Sequence, residues 1–437
     1  MLLKRALLIG LLALLSWPAI QAKFPLVDVG PLDGWATPPA PHPEFSYQQL
    51  IEGSYQPQLE AYLQDRLGFR PWLIRLNFQL AYSVFNTLRA NGLVKGGNEV
   101  LFQDWPIDSY YGRDFIGDKP IRVWARKLRL IQDSLSRRGI LFVFAIAPNK
   151  ARYYAEDIPL TWRGPQLRSN YSAAVEELRA NGVNLIDFPA LFMRMKDTAS
   201  YPLFPRGGTH WSGYGATLAA DTLMRYLEQR GHFDLPDYRV VGRTLTDSAR
   251  GTDGDIASAL NLIRPPATFR MAYPKIQYDA PRPGQKKPNV LIVGDSFTWT
   301  LIDFYDYFPA LFDSKSSFWY YHTRVGWPGQ APLGKNVEYA PAVGSLDGRA
   351  EIERRDIVLL LYSEYNLKHL DYGFAKYTYP YYHQFSGPDS ARIKAIEQRL
   401  ANDWDRLSQF QKEAAEHQTS FEDYLHSLAI DEFDAEQ

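Results

Sequence analysis

Nucleophilic chemistry in this chain falls to serine, histidine and carboxylates. The 437 residues contain no cysteine, which removes thiolate nucleophiles, thiolate metal sites and disulfides. The eight histidines include no His-Glu-x-x-His pair, so zinc hydrolysis has no spacing to rest on and no metal site or cofactor is expected. One serine is placed as a nucleophile needs to be. Residues 289 to 300 read Asn-Val-Leu-Ile-Val-Gly-Asp-Ser-Phe-Thr-Trp-Thr, in which the apolar run Val290 to Val293 predicts a buried strand and Thr298 to Phe308 is compatible with a helix. Ser296 thus stands at a strand-to-helix turn, where glycine permits a tight bend, a helix N-terminus favours negative charge and backbone N–H groups can receive an oxyanion. The plainer alternative is a helix start capped by Asp295 or Ser296. A base for Ser296 is offered by His210, in the loop Leu203-Phe204-Pro205-Arg206-Gly207-Gly208-Thr209-His210-Trp211-Ser212. No core-face periodicity accounts for a histidine there, and the glycines allow another backbone to come close.

The elements that position these two loops read as alternating strands and helices. Ile121 to Arg138 has helical spacing of Trp124, Leu128, Ile131 and Leu135 and stops at Gly139; Ile140 to Ala147 is strand-like; Asn170 to Ala180 is helical and Val183 to Asp187 strand-like. A helix runs from Gly213 to Leu227, and further strands are expected at Ser317 to Tyr321 and Asp356 to Leu361. This order predicts an α/β fold with a parallel sheet covered on both faces, ligands meeting the carboxyl ends of the strands. Asn149 and Lys150 follow one such end, as site residues or as solvated loop. Residues 228 to 288 are less regular; Asp253, Asp255 and the apolar Ile256 to Leu262 segment either line the cleft or cap a helix, the cap being preferred. Val325 to Gly329 reads as a loop. The tail from about 389 to 417 predicts one charged helix with Ile393, Ile396, Leu400, Trp404 and Leu407 on a docking stripe.

Composition bounds the function class. With 48 Lys+Arg against 49 Asp+Glu, no broad phosphate-seeking field exists, and nucleic acid is not an expected partner. Met1 to Arg5 carries two positive charges, Ala6 to Trp17 is almost continuously apolar, and Pro18 to Ala22 ends on a small residue. That is the layout of an export signal, cleaved after Ala22 or kept as an anchor, which would then be the only membrane attachment. Residues 23 to 43, with prolines at 25, 31, 38, 39, 41 and 43, read as an extended connector, and Phe45 to Phe85 as helical with a break at Gly68 to Pro71. Arg70 and Arg75 are expected as structural ion-pair partners, and Lys95 to Phe102 as a hairpin or turn into a strand.

With Thr209-His210-Trp211 followed by Gly294-Asp295-Ser296-Phe297, and with Gly68-Phe69-Arg70, Ala147-Pro148-Asn149-Lys150 and Glu364-Tyr365-Asn366 in register, the chain resembles the SGNH-hydrolase-like domain of the alginate O-acetyltransferase family of the bacterial periplasm. The resemblance implies a three-layer α/β/α domain with permuted motif order over residues 44 to 385. Residues 1 to 22 form the signal or anchor, 23 to 43 the linker and 386 to 437 a helical tail packed on the domain. It implies Ser296 as nucleophile and His210 as base, with the oxyanion held by the N–H of Ser296 and by Gly326 or Asn366, and Trp211, Arg206, Asn149 and Lys150 as candidate substrate contacts. The implied reaction moves an acetyl group through a serine acyl-enzyme to hydroxyls of an exopolysaccharide or cell-wall glycan. The expected partners are that polysaccharide and a membrane-bound acyltransferase as donor. A glycan-binding scaffold without catalysis and a carbohydrate acetyl esterase are the alternatives. In the family an aspartate precedes the histidine by two residues; this chain has Gly208. Candidates to replace it are Asp295, Asp255 and Glu364.

Overall fold

The computed structural model describes residues 2–34, 39–328, 340–416 and 419–436; Met1 of the export segment, Pro38 of the connector, Gly329 of the loop and His417 of the tail lie outside them. The chain divides into two compact units, Met1–Lys95 with Asp255–Pro266 and Gly96–Gly254 with Ala267–Gln437. The boundaries expected from the sequence differ from this division, which places the helical segment 44–95 in the smaller unit. That unit is helical. Leu2–Lys23 forms a helix long and apolar enough to cross a membrane, followed by Tyr47–Ile51, Tyr55–Asp65 and Arg70–Phe85. The break between the last two falls at Phe69, which takes a left-handed φ of 63°. Arg70 pairs with Asp65 at 3.3 Å, whereas Arg75 donates to the carbonyls of Val29 and Pro31 and so braces the connector.

The larger unit is built on a six-stranded sheet: β1 (Leu141–Ala147), β2 (Leu185–Asp187), β3 (Val290–Gly294), β4 (Ser317–Tyr320), β5 (Arg324–Trp327) and β6 (Ile357–Ser363). Their spatial order is β2-β1-β6-β3-β4-β5. All neighbours are parallel except β5, an antiparallel edge strand. β5 corrects the loop expected at Val325 to Trp327. Alternate residues of the central strands serve two cores, as a strand covered on both faces requires. Phe142, Phe144, Leu291, Val293, Val358 and Leu360 meet helix α1 (Asp118–Ser136) through Trp124, Leu128, Ile131 and Leu135. Helix α2 (Asn170–Ala180) lies on the same side. Val143, Ala145, Val290, Ile292, Leu359 and Leu361 meet helix α3 (Gly213–Gly231) through Ala216, Ala219, Ala220, Leu223 and Leu227. The result is a three-layer α/β/α domain.

Three sequence expectations give way here. The irregular stretch holds an antiparallel hairpin, Tyr238–Thr246 paired with Met271–Tyr278; the first strand is largely exposed and only Met271–Pro274 of the second is buried, so neither reads as a long apolar run. The helix expected after Ser296 is broken into a 3₁₀ turn Ser296–Thr298, a π turn Thr300–Phe304 and a short helix Tyr307–Leu311. The tail is three helices, α4 (Gly387–Ala401), α5 (Leu407–Glu416) and α6 (Phe421–Glu436). Ile393, Ile396 and Leu400 are buried while Trp404, beyond the end of α4, is 80% exposed, so the docking stripe stops at Leu400.

Candidate active site

Gly294, Asp295 and Ser296 stand at the carboxyl end of β3, next to the end of β6. The glycine is fixed by close approach: a Cβ at position 294 would lie 2.2 Å from the carbonyl oxygen of Leu361 on β6. Asp295 N–H donates to that same carbonyl at 3.1 Å, and the Asp295 carboxylate fastens the neighbouring segments. One oxygen accepts from Phe297 N–H at 3.1 Å. The other accepts from Ser363 N–H (2.7 Å), Ser363 Oγ (2.6 Å) and Asn366 Nδ2 (2.7 Å). The charge is felt nearby, since burial and then Asp295 push the Tyr320 hydroxyl up to about 12. Asp295 is therefore a clamp between the ends of β3 and β6, and its four donors account for it without the imidazole. Ser296 is left partly exposed at the mouth of the turn.

His210 comes from the opposite side. Its loop is tied by Ser212 N–H to Leu203 O (2.8 Å) and by Ser212 Oγ to Pro202 O (2.6 Å), and Ser212 then caps α3 through Gly215 N–H. Lys150 is 2% exposed and donates to the carbonyls of Arg206 (2.8 Å) and Gly208 (2.7 Å). Thus an ammonium group beneath the loop holds its backbone, a role the sequence reading missed; the signal available was a lysine directly after a buried strand. The His210 ring rests against Phe297, centroids 4.8 Å apart, and its Nε2 lies 2.8 Å from Ser296 Oγ. With the imidazole proton on Nδ1, Nε2 accepts from the serine hydroxyl, and the pair can move a proton as the oxygen attacks a carbonyl.

The other sequence candidates are placed as follows. Glu364 is fully buried and bidentate to Arg152 at 2.7 and 2.8 Å. Burial opposes the Arg152 charge, yet Glu364 outweighs it and drives the guanidinium pKa upward. That pairing occupies Glu364, so it does not serve as the orienting carboxylate. Asp255 opens the short helix Asp255–Ala259 and accepts from the N–H of Ile256 at 2.7 Å. Asn366 gives an Nδ2 hydrogen to Asp295 and its Oδ1 accepts from Tyr372 at 2.9 Å. Gly326 lies within edge strand β5, against the ring of Trp299. Trp211 is fully buried against Phe188, Phe192 and Phe297, its Nε1 on Thr300 Oγ1; it is a core residue and offers no sugar platform. Asn149 is 1% exposed, capping the helix that begins at Lys150 and donating to Pro106 O at 2.8 Å. Neither it nor Lys150 is a solvated loop residue. Arg206 stacks over Phe269 and donates to Ala267 O at 2.9 Å. Among the described residues no cluster of side chains has the make-up of a metal site.

Comparison with known proteins agrees with this architecture. The family described as "SGNH hydrolase-like domain, acetyltransferase AlgX" matches residues 93–312, half of the chain. The probable alginate O-acetylase AlgJ of Pseudomonas aeruginosa is 29% identical over 213 residues, covering 49% of this chain and 52% of the relative. The Pseudomonas putida protein of the same name is 28% identical over 158 residues, 36% and 38% of the two chains. The matches thus span about half or less of these relatives' length. Two solved structures are similar: the O-acetyltransferase domain of Pseudomonas putida AlgJ (20% identity, TM-score 0.41, 63% of this chain and 92% of that one) and Bacillus cereus PatB1 with a sulfonyl adduct (12%, 0.41, 64% and 97%). By the match over half its length, this chain belongs to the AlgX family of SGNH hydrolase-like domains.

Proposed function

We propose that this protein is an O-acetyltransferase of the bacterial envelope, which moves an acetyl group to hydroxyls of an exopolysaccharide or cell-wall glycan by way of Ser296. The observation that carries the reading is the 2.8 Å approach of His210 Nε2 to Ser296 Oγ; family membership and the names of the relatives support the acyl group and the acceptor class. In the first half-reaction His210 takes the Ser296 proton, the oxygen attacks the acetyl carbonyl, and the leaving group departs with that proton. In the second, a sugar hydroxyl gives its proton to His210 and attacks the acetyl-serine carbonyl, and His210 passes that proton to Ser296 Oγ as the serine leaves, regenerating the free serine and the neutral imidazole. The N–H of Ser296, at the start of a 3₁₀ turn, is the first oxyanion donor, and Asn366 the second.

The apolar helix Leu2–Lys23 supports export, so the donor acetyl group reaches the site from a membrane-bound acyltransferase rather than from a cytoplasmic thioester. Ser296→Ala is expected to abolish both turnover of a small acetyl ester and labelling by a fluorophosphonate probe, with unchanged thermal unfolding. Added glycan oligomer should divert the acetyl group from water to sugar, read by mass spectrometry. A wild-type protein that neither turns over the ester nor takes the label is not an acyltransferase.

A further inference from the structure

For Nε2 of His210, 2.8 Å from Ser296 Oγ, to take the serine proton, Nδ1 must hold the imidazole proton, and in serine–histidine sites a carboxylate beyond that nitrogen fixes the tautomer and steadies the imidazolium. Asp295 and Glu364 are committed elsewhere. Position 208, two residues before the histidine, has no side chain, and its place is taken. A Cβ there would lie 2.5 Å from Thr252 O and 2.8 Å from Asp253 O, so the turn Gly251–Gly254 occupies the room a side chain at 208 would need. The same turn touches the His210 loop again on its far side, where Asp253 Oδ2 lies 3.5 Å from Gly213 N. Asp253 is fully buried. After burial itself, its charge and hydrogen bond push the Tyr273 hydroxyl above its ordinary range, which shows a carboxylate held in the interior beside this loop.

We propose that Asp253, in the turn Gly251–Gly254, supplies the carboxylate that orients His210, in place of a side chain at position 208. The inference rests on the reading of Ser296 and His210 as nucleophile and base. It makes Gly208 a requirement of this design: the chain that brings the carboxylate passes through the space that a longer residue 208 would fill. Asp253 is a positioning residue, acting through the imidazole.

The test uses the full chain with Asp253→Asn, Asp253→Glu and Gly208→Asp, assayed on a small acetyl ester across pH and by fluorophosphonate labelling. Asp253→Asn is expected to lose on the order of 10²- to 10⁴-fold in kcat with KM little changed. The acid limb of its kcat/KM profile should move to lower pH, since a carboxylate beside an imidazole favours the charged ring; a merely structural role would lower the profile without moving it. Asp253→Glu should restore part of the rate. Gly208→Asp should lower the melting temperature and gain no activity. If Asp253→Asn keeps both rate and pH profile, or if Gly208→Asp raises turnover, the proposal is overturned while Ser296 remains the nucleophile. A wild type with neither labelling nor turnover overturns both readings.

Discussion

At the scale of single residues, the serine turn depends on a carboxylate that does no chemistry of its own. Asp295 receives four hydrogen bonds from the turn and from the end of β6. An amide at this position presents one acceptor and one donor group, so some of these donors would face N–H hydrogens. Asp295→Asn is therefore expected to cost about 3 kcal/mol and to lower ester turnover together with the urea midpoint. Loss of activity at unchanged stability would instead mean a direct role for Asp295 in the reaction. Asn366 is steered by the same carboxylate and by Tyr372, which fixes the direction of its amide. Lys150 shows the complementary case: a buried cation whose work is to hold two backbone carbonyls of the His210 loop.

At the scale of elements, the spacing of β3 against β6 decides where Ser296 sits. Gly294→Ala would drive a methyl into Leu361 O, and separating the two central strands should cost about 3 kcal/mol, measured as a lower denaturant midpoint with Ser296 labelling impaired. Helix α1 is fastened to the segment after β6 through Trp124 Nε1, which donates to the fully buried Asp371 at 2.8 Å. Burial pushes Asp371 up to about 6, despite the bonds from Trp124 and from the N–H groups of Ala375 and Gly373 that lower it. The folded state then binds this proton more tightly than the unfolded chain. Its contribution is fully present below pH 4 and is lost as pH rises to about 6, on the order of 3 kcal/mol. Asp371→Asn should flatten that stretch of the stability–pH curve; an unchanged slope between pH 4 and 6 would assign the titration to other groups.

At the scale of the whole larger unit, the tail is part of the core. Tyr424, Leu425, Ile430 and Phe433 of α6 are buried in the same cluster as the sheet-facing residues of α1, and Lys127 of α1 pairs with Asp431 and Asp434 at 2.6 and 2.9 Å. Deleting the chain from residue 419 should expose this apolar face, lowering the urea midpoint and increasing dye binding to hydrophobic surface. A truncated protein with the wild-type midpoint would show the tail to be an independent appendage.

The sequence by itself determined the strands β1, β3 and β6, the amphipathic helices α1 and α3, and the two loops carrying His210 and Ser296. Each is written in local signals, an apolar run, a 3.6-residue spacing or a glycine-rich break, that no distant contact needs to complete. Only the tertiary structure decided which polar residues serve those loops. Trp211 could have floored a sugar subsite or packed beneath its loop and is core, Asn149 and Lys150 read as site residues or solvated loop and are buried, and Asp295 and Glu364 were candidate partners for the histidine and are bound elsewhere. The edge strand β5, the hairpin and the break of the tail after Ala401 were equally hidden, because their residues carry no periodic apolar face. Burial and hydrogen-bond partners are set by chain segments dozens to hundreds of residues apart: Arg152 with Glu364, Asp295 with Ser363, and Gly208 with the turn at 251–254. A linear reading names the residues able to do the chemistry; their division between chemistry and support is fixed by what packs against them.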